Sequence, residues 1–123
     1  MSVMGVQVVY IDSDLLMHQA LGKVLRALGL SFRCFCSMEE VQQNFADYDP
    51  KVVIIDVPTF ERTREYQEHF KGRTLALVTS TQMSLAPEQI ISSWGISAIL
   101  SRPIDRHALA SFLGEALYTQ KSA

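Results

Sequence analysis

Two carboxylates, Asp12 and Asp56, each stand at the carboxyl end of a run of apolar residues. Val8-Val9-Tyr10-Ile11 leads into Asp12, and Val52-Val53-Ile54-Ile55 leads into Asp56. Later apolar runs end in a hydroxyl at Thr79 and in a cation at Arg102. The set offers a carboxylate nucleophile, a second carboxylate, a hydroxyl donor and a positive charge. Transfer of a phosphoryl group to Asp56 would use each of them. Asp56 attacks phosphorus, a divalent ion held by the carboxylates neutralises the phosphoryl oxygens, and Thr79 and Arg102 bind the oxygens that remain. None of this happens unless the fold gathers the ends of four separate runs.

The runs themselves say how they are gathered. Near-continuous β-branched stretches read as strands buried on both faces, the pattern of a parallel sheet. Strands are predicted at about 6–11, 31–36, 51–56, 74–79 and 96–100. Between the first two, Asp12, Ser13 and Asp14 suit a helix N-terminus. The helix carries Leu16, Ala20, Leu21, Val24, Leu25 and Leu28 as its apolar stripe and stops at Gly29. Ser37 and Glu40 form a capping box ahead of a short helix that buries Met38, Val41 and Phe45. Pro58 bars helix at Val57, so the next helix is expected over 61–70, with Tyr66 and Phe70 as its apolar contacts and Gly72 as its end. Residues 80–84 read as a polar loop, Pro87 opens a helix bearing Ile90, Ile91 and Trp94, and Gly95 closes it. Asp105 caps a last helix with Leu109, Phe112, Leu113, Ala116 and Leu117 at helical spacing, and 119–123 reads as a tail or the start of a linker. Strands alternating with helices over short connections give right-handed crossovers and a doubly wound α/β sheet. In such a sheet Asp12, Asp56, Thr79 and Arg102 converge on the rim at the carboxyl ends of the strands.

Composition sets the outer bounds. A chain of 123 residues, 48% apolar, is expected to be a single domain spanning 1–123, with its core at about 6–117. Eleven Lys and Arg against 13 Asp and Glu leave a net charge of -2, which argues against a nucleic-acid partner. No run is long and apolar enough to span a membrane. The start of the sequence lacks the positive segment of a signal peptide, so the cytoplasm is the expected location. Cys34 and Cys36 are spaced for neither a redox CxxC pair nor a zinc site, and His18, His69 and His107 are scattered without ligand spacing. With no nucleophile–His pairing and no Gly-rich phosphate loop, no enzyme class fits. A flavin-binding reading wants hydroxyls and glycines after strand one, where Asp12 and Asp14 would repel a phosphate.

Asp12, Asp56, Thr79 and Arg102-Pro103, in this order and at the ends of strands one, three, four and five, resemble the receiver domain of bacterial two-component response regulators. The similarity runs over about 6–117. It implies a flavodoxin-like sheet in the order 2-1-3-4-5 with helices on both faces, Asp56 as phospho-acceptor, Thr79 as the switch hydroxyl and Arg102 in place of the usual lysine before a proline, a proline commonly joined by a cis bond. It also implies Mg²⁺ as cofactor, held by Asp12, Asp56 and the carbonyl of Pro58. Several positions depart from the family. Ser13 stands where a second acidic residue is usual and is a poorer, neutral ligand, direct or through water. Phe60 stands where a proline is usual, Ile99 where the switch aromatic is usual, and the interval from Asp56 to Thr79 is short. With Asp12, Asp56 and Arg102 the site holds a local charge of -1 rather than -2, so Mg²⁺ is expected to bind weakly or not at all. Arg102, always charged and able to grip a carboxylate through two nitrogens, is expected to pair with Asp56 in the metal's place.

The expected function is therefore that of a receiver in phosphorelay signalling, accepting a phosphoryl group on Asp56. Its state would pass through Thr79 to the face formed by the helix after Pro87, strand five and the last helix. The alternative is a degenerate receiver that acts as a phosphorylation-independent interaction or dimerisation module. Implied partners are a histidine kinase or phosphotransfer protein, an output domain or effector, and a second copy of the chain.

Overall fold

In a parallel sheet covered on both sides, every strand residue has a helix layer to pack against, and the β-branched runs meet that demand. The computed structural model describes residues 6–42, 45–79, 95–102 and 104–118. Five strands, β1 (Val8–Ile11), β2 (Phe32–Phe35), β3 (Val52–Asp56), β4 (Thr74–Thr79) and β5 (Ala98–Ser101), form one sheet in the order β2-β1-β3-β4-β5, all neighbours parallel. This is the expected flavodoxin-like order. The helices are α1 (Leu15–Ala27), α2 (Met38–Gln42), α3 (Phe45–Tyr48), α4 (Val57–Arg62), a 3₁₀ helix (Arg64–Phe70) and α5 (Arg106–Tyr118). The loop at 80–84, the helix after Pro87 with Trp94, Pro103 and the 119–123 tail fall outside the described residues.

Alternation along the strands sorts the core into two layers. Val8, Tyr10, Val52, Ile54, Ala76 and Val78 face α1 and α5, meeting Leu21, Leu25, Leu109 and Leu113. Val9, Ile11, Val53, Ile55, Leu75 and Leu77 face the other way, onto Met38, Val41, Phe45, Phe60 and Phe70. Phe60, at the position where receivers favour proline, is fully buried and stacks on Phe70 at 6.3 Å between centroids. It fills the second layer next to Phe45, which meets Phe70 edge-on at 6.0 Å.

Three local expectations need correction. The buried stripe of α1 is Met17, Leu21, Val24 and Leu25, whereas Leu16 is 76% exposed and Leu28 41%. The stripe is thus shifted, because the 3.6-residue period that turns Met17, Leu21, Val24 and Leu25 inward turns Leu16 outward, beside the cap where Asp14 accepts its amide at 3.0 Å. Helix also begins at Val57, despite Pro58. Pro58 lies in the first turn, where its missing N–H breaks no helical bond, and Asp56 serves as the N-cap. The helix expected over 61–70 is divided into α4 and the 3₁₀ turn, with Gly72 beyond it at φ +78°. Phe70 is buried as expected, and the Tyr66 side chain is outside the described residues.

Candidate functional site

Register places the selected residues together. Ile11 lies opposite Ile55, so Asp12 and Asp56 follow on adjacent strands. Asp56 is opposite Val78, with Thr79 next on β4, and Thr79 is opposite Ser101, with Arg102 next. The backbone amide of Arg102 donates to the Thr79 carbonyl at 3.0 Å, which carries the β4–β5 pairing to the rim. Asp12, Asp56 and Thr79 are all buried.

Asp12 is the most heavily bonded member. Its Oδ1 accepts the Asp14 amide at 2.9 Å. Its Oδ2 accepts both the Tyr10 hydroxyl and Nη2 of Arg102, the latter at 2.8 Å. The second nitrogen of the Arg102 fork, Nη1, reaches Asp14 Oδ2 at 3.1 Å. Nε2–H of His18 donates to the Asp12 carbonyl at 2.6 Å, and the His18 ring tilts against Tyr10. Arg102 thus clamps the end of β5 to the start of α1. The cation expected on Asp56 is paired with Asp12 and Asp14 instead. Tyr10, fully buried, has its phenol pushed far above the usual tyrosine range by burial and by the hydrogen bond to Asp12.

Asp56 has a different environment. Its Oδ2 accepts the Thr59 amide at 3.2 Å as the cap of α4, while Oδ1 is buried with no hydrogen-bond partner among the described residues. Burial pushes its carboxyl above the usual carboxylate range, and the neighbouring charge of Asp12 adds to this against the opposing effect of Thr59. Ser13 is exposed, and so is Pro58. The carbonyl of a residue inside a helix points toward the helix C-terminus, so that of Pro58 points away from the rim that Asp56 caps.

Mg²⁺ asks for a near-octahedral shell of oxygens. Both oxygens of Asp12 are already engaged, one of them by a fixed guanidinium. Among the described residues that leaves one buried, unpartnered carboxylate oxygen, Asp56 Oδ1, which does not make a divalent site. Among the described residues no group of three His, Cys, Asp or Glu side chains is placed to hold a metal.

Sequence reasoning overlooked Tyr10, Asp14, His18 and Thr59. Tyr10 had a readable signal, since residues two apart in a strand share a face and Asp12 follows at that spacing. Asp14 had another, because a guanidinium fork serves two carboxylates where an ammonium serves one.

No protein-family model and no curated protein matches the sequence. Solved structures do match in fold. The response regulator receiver protein from Burkholderia phymatum is 22% identical with a TM-score of 0.79, over 91% of this chain and 94% of its own. The chemotaxis response regulator CheY4 of Vibrio cholerae is 19% identical with a TM-score of 0.72, over 91% and 98%. The receiver domain of the response regulator Ssk1 from Saccharomyces cerevisiae, solved with the histidine phosphotransfer protein Ypd1, gives 13% and 0.73, over 98% and 94%.

Proposed function

We propose that this chain, which has the fold of a response-regulator receiver domain, is a signalling module that works by protein–protein docking in a state set by the Arg102 clamp. Phosphorylation of Asp56 with Mg²⁺ is not what sets it. The observation that carries this reading is the 2.8 Å contact between Arg102 Nη2 and Asp12 Oδ2, on the same oxygen that accepts the Tyr10 hydroxyl. It uses the acid that a metal would need first and ties β5 to α1 without any phosphoryl group. A partner surface adjoins the clamp: Leu15 and Leu16, at the start of α1, are 62% and 76% exposed. A histidine kinase or phosphotransfer protein is the partner class that this face suggests, and a receiver–phosphotransfer complex is known for a protein of the same fold. An output domain or effector would then read the docked state.

The second reading, acceptance of a phosphoryl group on Asp56, has one observation in its favour: Asp56 Oδ1 is buried at the rim and unpartnered. Intact-mass measurement and amide shifts after incubation with acetyl phosphate and Mg²⁺ separate the two. The expected result is no phosphoryl adduct and no shift at Asp56 or Thr79. An Mg²⁺-dependent adduct lost in Asp56→Asn would overturn the proposal and establish the second reading.

A further inference from the structure

Charge is unevenly placed in this chain. From Leu15 to Met38 there is no Asp or Glu, yet Lys23, Arg26 and Arg33 lie in that interval. The fold turns it into one surface, because α1 packs beside β2 and β2 is an outer strand of the sheet. A cleft of about 460 Å³ lies there, lined by His18, Lys23, Arg26, Phe32, Arg33 and Cys34 among others. The three cations are exposed, and none of them takes part in an ion pair among the described residues. Arg26 lies over the Phe32 ring at 5.5 Å, and Arg33 lies 5.9 Å from the Tyr48 ring on the opposite side of the sheet. Cations therefore flank this edge from both faces.

Among the described residues the edge itself has unused hydrogen-bonding capacity. The carbonyls of Ser31 and Phe35 accept from Val8 and Asp12, on the β1 side. In a parallel ladder alternate residues face the same neighbour, so Phe32 and Cys34 direct their backbone N–H and C=O groups outward. A free edge of this kind takes an added strand. A second copy pairing edge to edge would bring Arg33 against Arg33 and is opposed by like charge.

We infer that the cleft between α1 and the β2 edge is a docking groove for an acidic, extended segment of a partner protein. The segment aligns beside β2, bonds to the outward groups of Phe32 and Cys34, and lays its carboxylates toward Lys23, Arg26 and Arg33. At its far end the groove meets His18, which donates to the Asp12 carbonyl, so an occupant would reach the border of the acidic rim. This inference stands apart from the state of Asp56 and from the Arg102 clamp.

The test uses the full chain, isotope-labelled, and three probes: a short peptide of consecutive glutamates, which presents acids to both faces of an added strand, its counterpart of consecutive lysines, and a single-stranded thymidine oligonucleotide. The acidic peptide is expected to move the Phe32 and Cys34 amides most, with affinity that falls as salt rises. The exposed double reversal Lys23→Glu with Arg33→Glu is expected to weaken it by about five-fold or more at unchanged urea midpoint, while Arg33→Lys retains it. Silence of these amides, or equal binding of the lysine peptide, would overturn the inference. Equal or tighter binding of the oligonucleotide would overturn it too, by making the groove a site for polyanions at large.

Discussion

Replacing Arg102 with alanine tests the clamp most directly. Asp12 is 1% exposed, and its Oδ2 would lose the only cation bonded to it among the described residues. Breaking a fully buried ion pair by removing one partner costs about 3–5 kcal/mol, because the other charge is left behind in low dielectric. Two features reduce that figure here. The Arg102 side chain is 29% exposed, so water can follow it out, and Asp12 keeps the Tyr10 hydroxyl and the Asp14 amide. A loss of about 2 kcal/mol is expected. With a urea slope of about 1.5 kcal/mol per molar, typical of a small domain, the midpoint falls by about 1.3 M at constant slope. Arg102→Lys should lose roughly half as much, since an ammonium keeps the charge but cannot span Asp12 and Asp14 together. Adding Mg²⁺ should recover part of the deficit in Arg102→Ala, whose Asp12 Oδ2 has lost the guanidinium, and should leave the parent unchanged. A midpoint in Arg102→Ala equivalent to less than about 0.5 kcal/mol of change, the range of an ordinary surface substitution, would refute the clamp. So would equal stabilisation of parent and variant by Mg²⁺.

Tyr10→Phe removes the other donor to Asp12 Oδ2 and should cost about 2 kcal/mol, the range of a buried hydrogen bond to a charged group. Because both donors serve one oxygen, its effect should not add to that of Arg102→Ala in a double-mutant cycle. The Tyr10 phenol is raised in the fold, so the native state favours its neutral form. That stability is fully present below the ordinary tyrosine value of about 10 and is lost as pH climbs beyond it. Alkaline unfolding should therefore be blunted in Tyr10→Phe, and an unchanged alkaline profile would count against a buried Tyr10. Asp56 is likewise raised, so its contribution is full below the usual aspartate range and is lost as pH rises through its folded value. Asp56→Asn, which can still accept the Thr59 amide, should be more stable than the parent at neutral pH. The difference should close on acidification, and urea unfolding at both pH values decides it.

The sheet was legible because its signal is redundant. Every residue of β3 is buried, so its β-branched run could be read without knowing its neighbours. The rim was legible for a related reason: a polar residue ending such a run has left the apolar layers at the place where loops begin. Side-chain pairing was not legible. Arg102 could have turned to either carboxylate, and its choice of Asp12 depends on Asp14 offering a second oxygen from the cap of α1. Leu16 misled because an apolar residue in a first turn fits a helical stripe whether it faces the core or solvent. Val57 misled because the disfavour for helix before proline is a bias, and Asp56, bonded to the Thr59 amide, supplied the cap that overrode it.

Ser13 and Arg102, which taken singly look like two losses from a receiver site, make sense together. A lysine at 102 would offer one compact charge, whereas the guanidinium serves Asp12 and Asp14 through separate nitrogens. That occupation uses up the cation, and a third carboxylate at position 13, adjacent in sequence to both, would have no positive partner among the groups that meet there. A neutral, exposed Ser13 avoids the repulsion. Among the described residues, Asp56 then remains an acid at the rim without a cation, and burial pushes its carboxyl above the usual carboxylate range. Asp12 and Asp14 are held by the chain's own guanidinium, and this makes a fixed join between β5 and α1. A fixed join suits a surface that partners recognise without a chemical signal, which is why the clamp, more than Asp56, is the feature on which the proposed function rests.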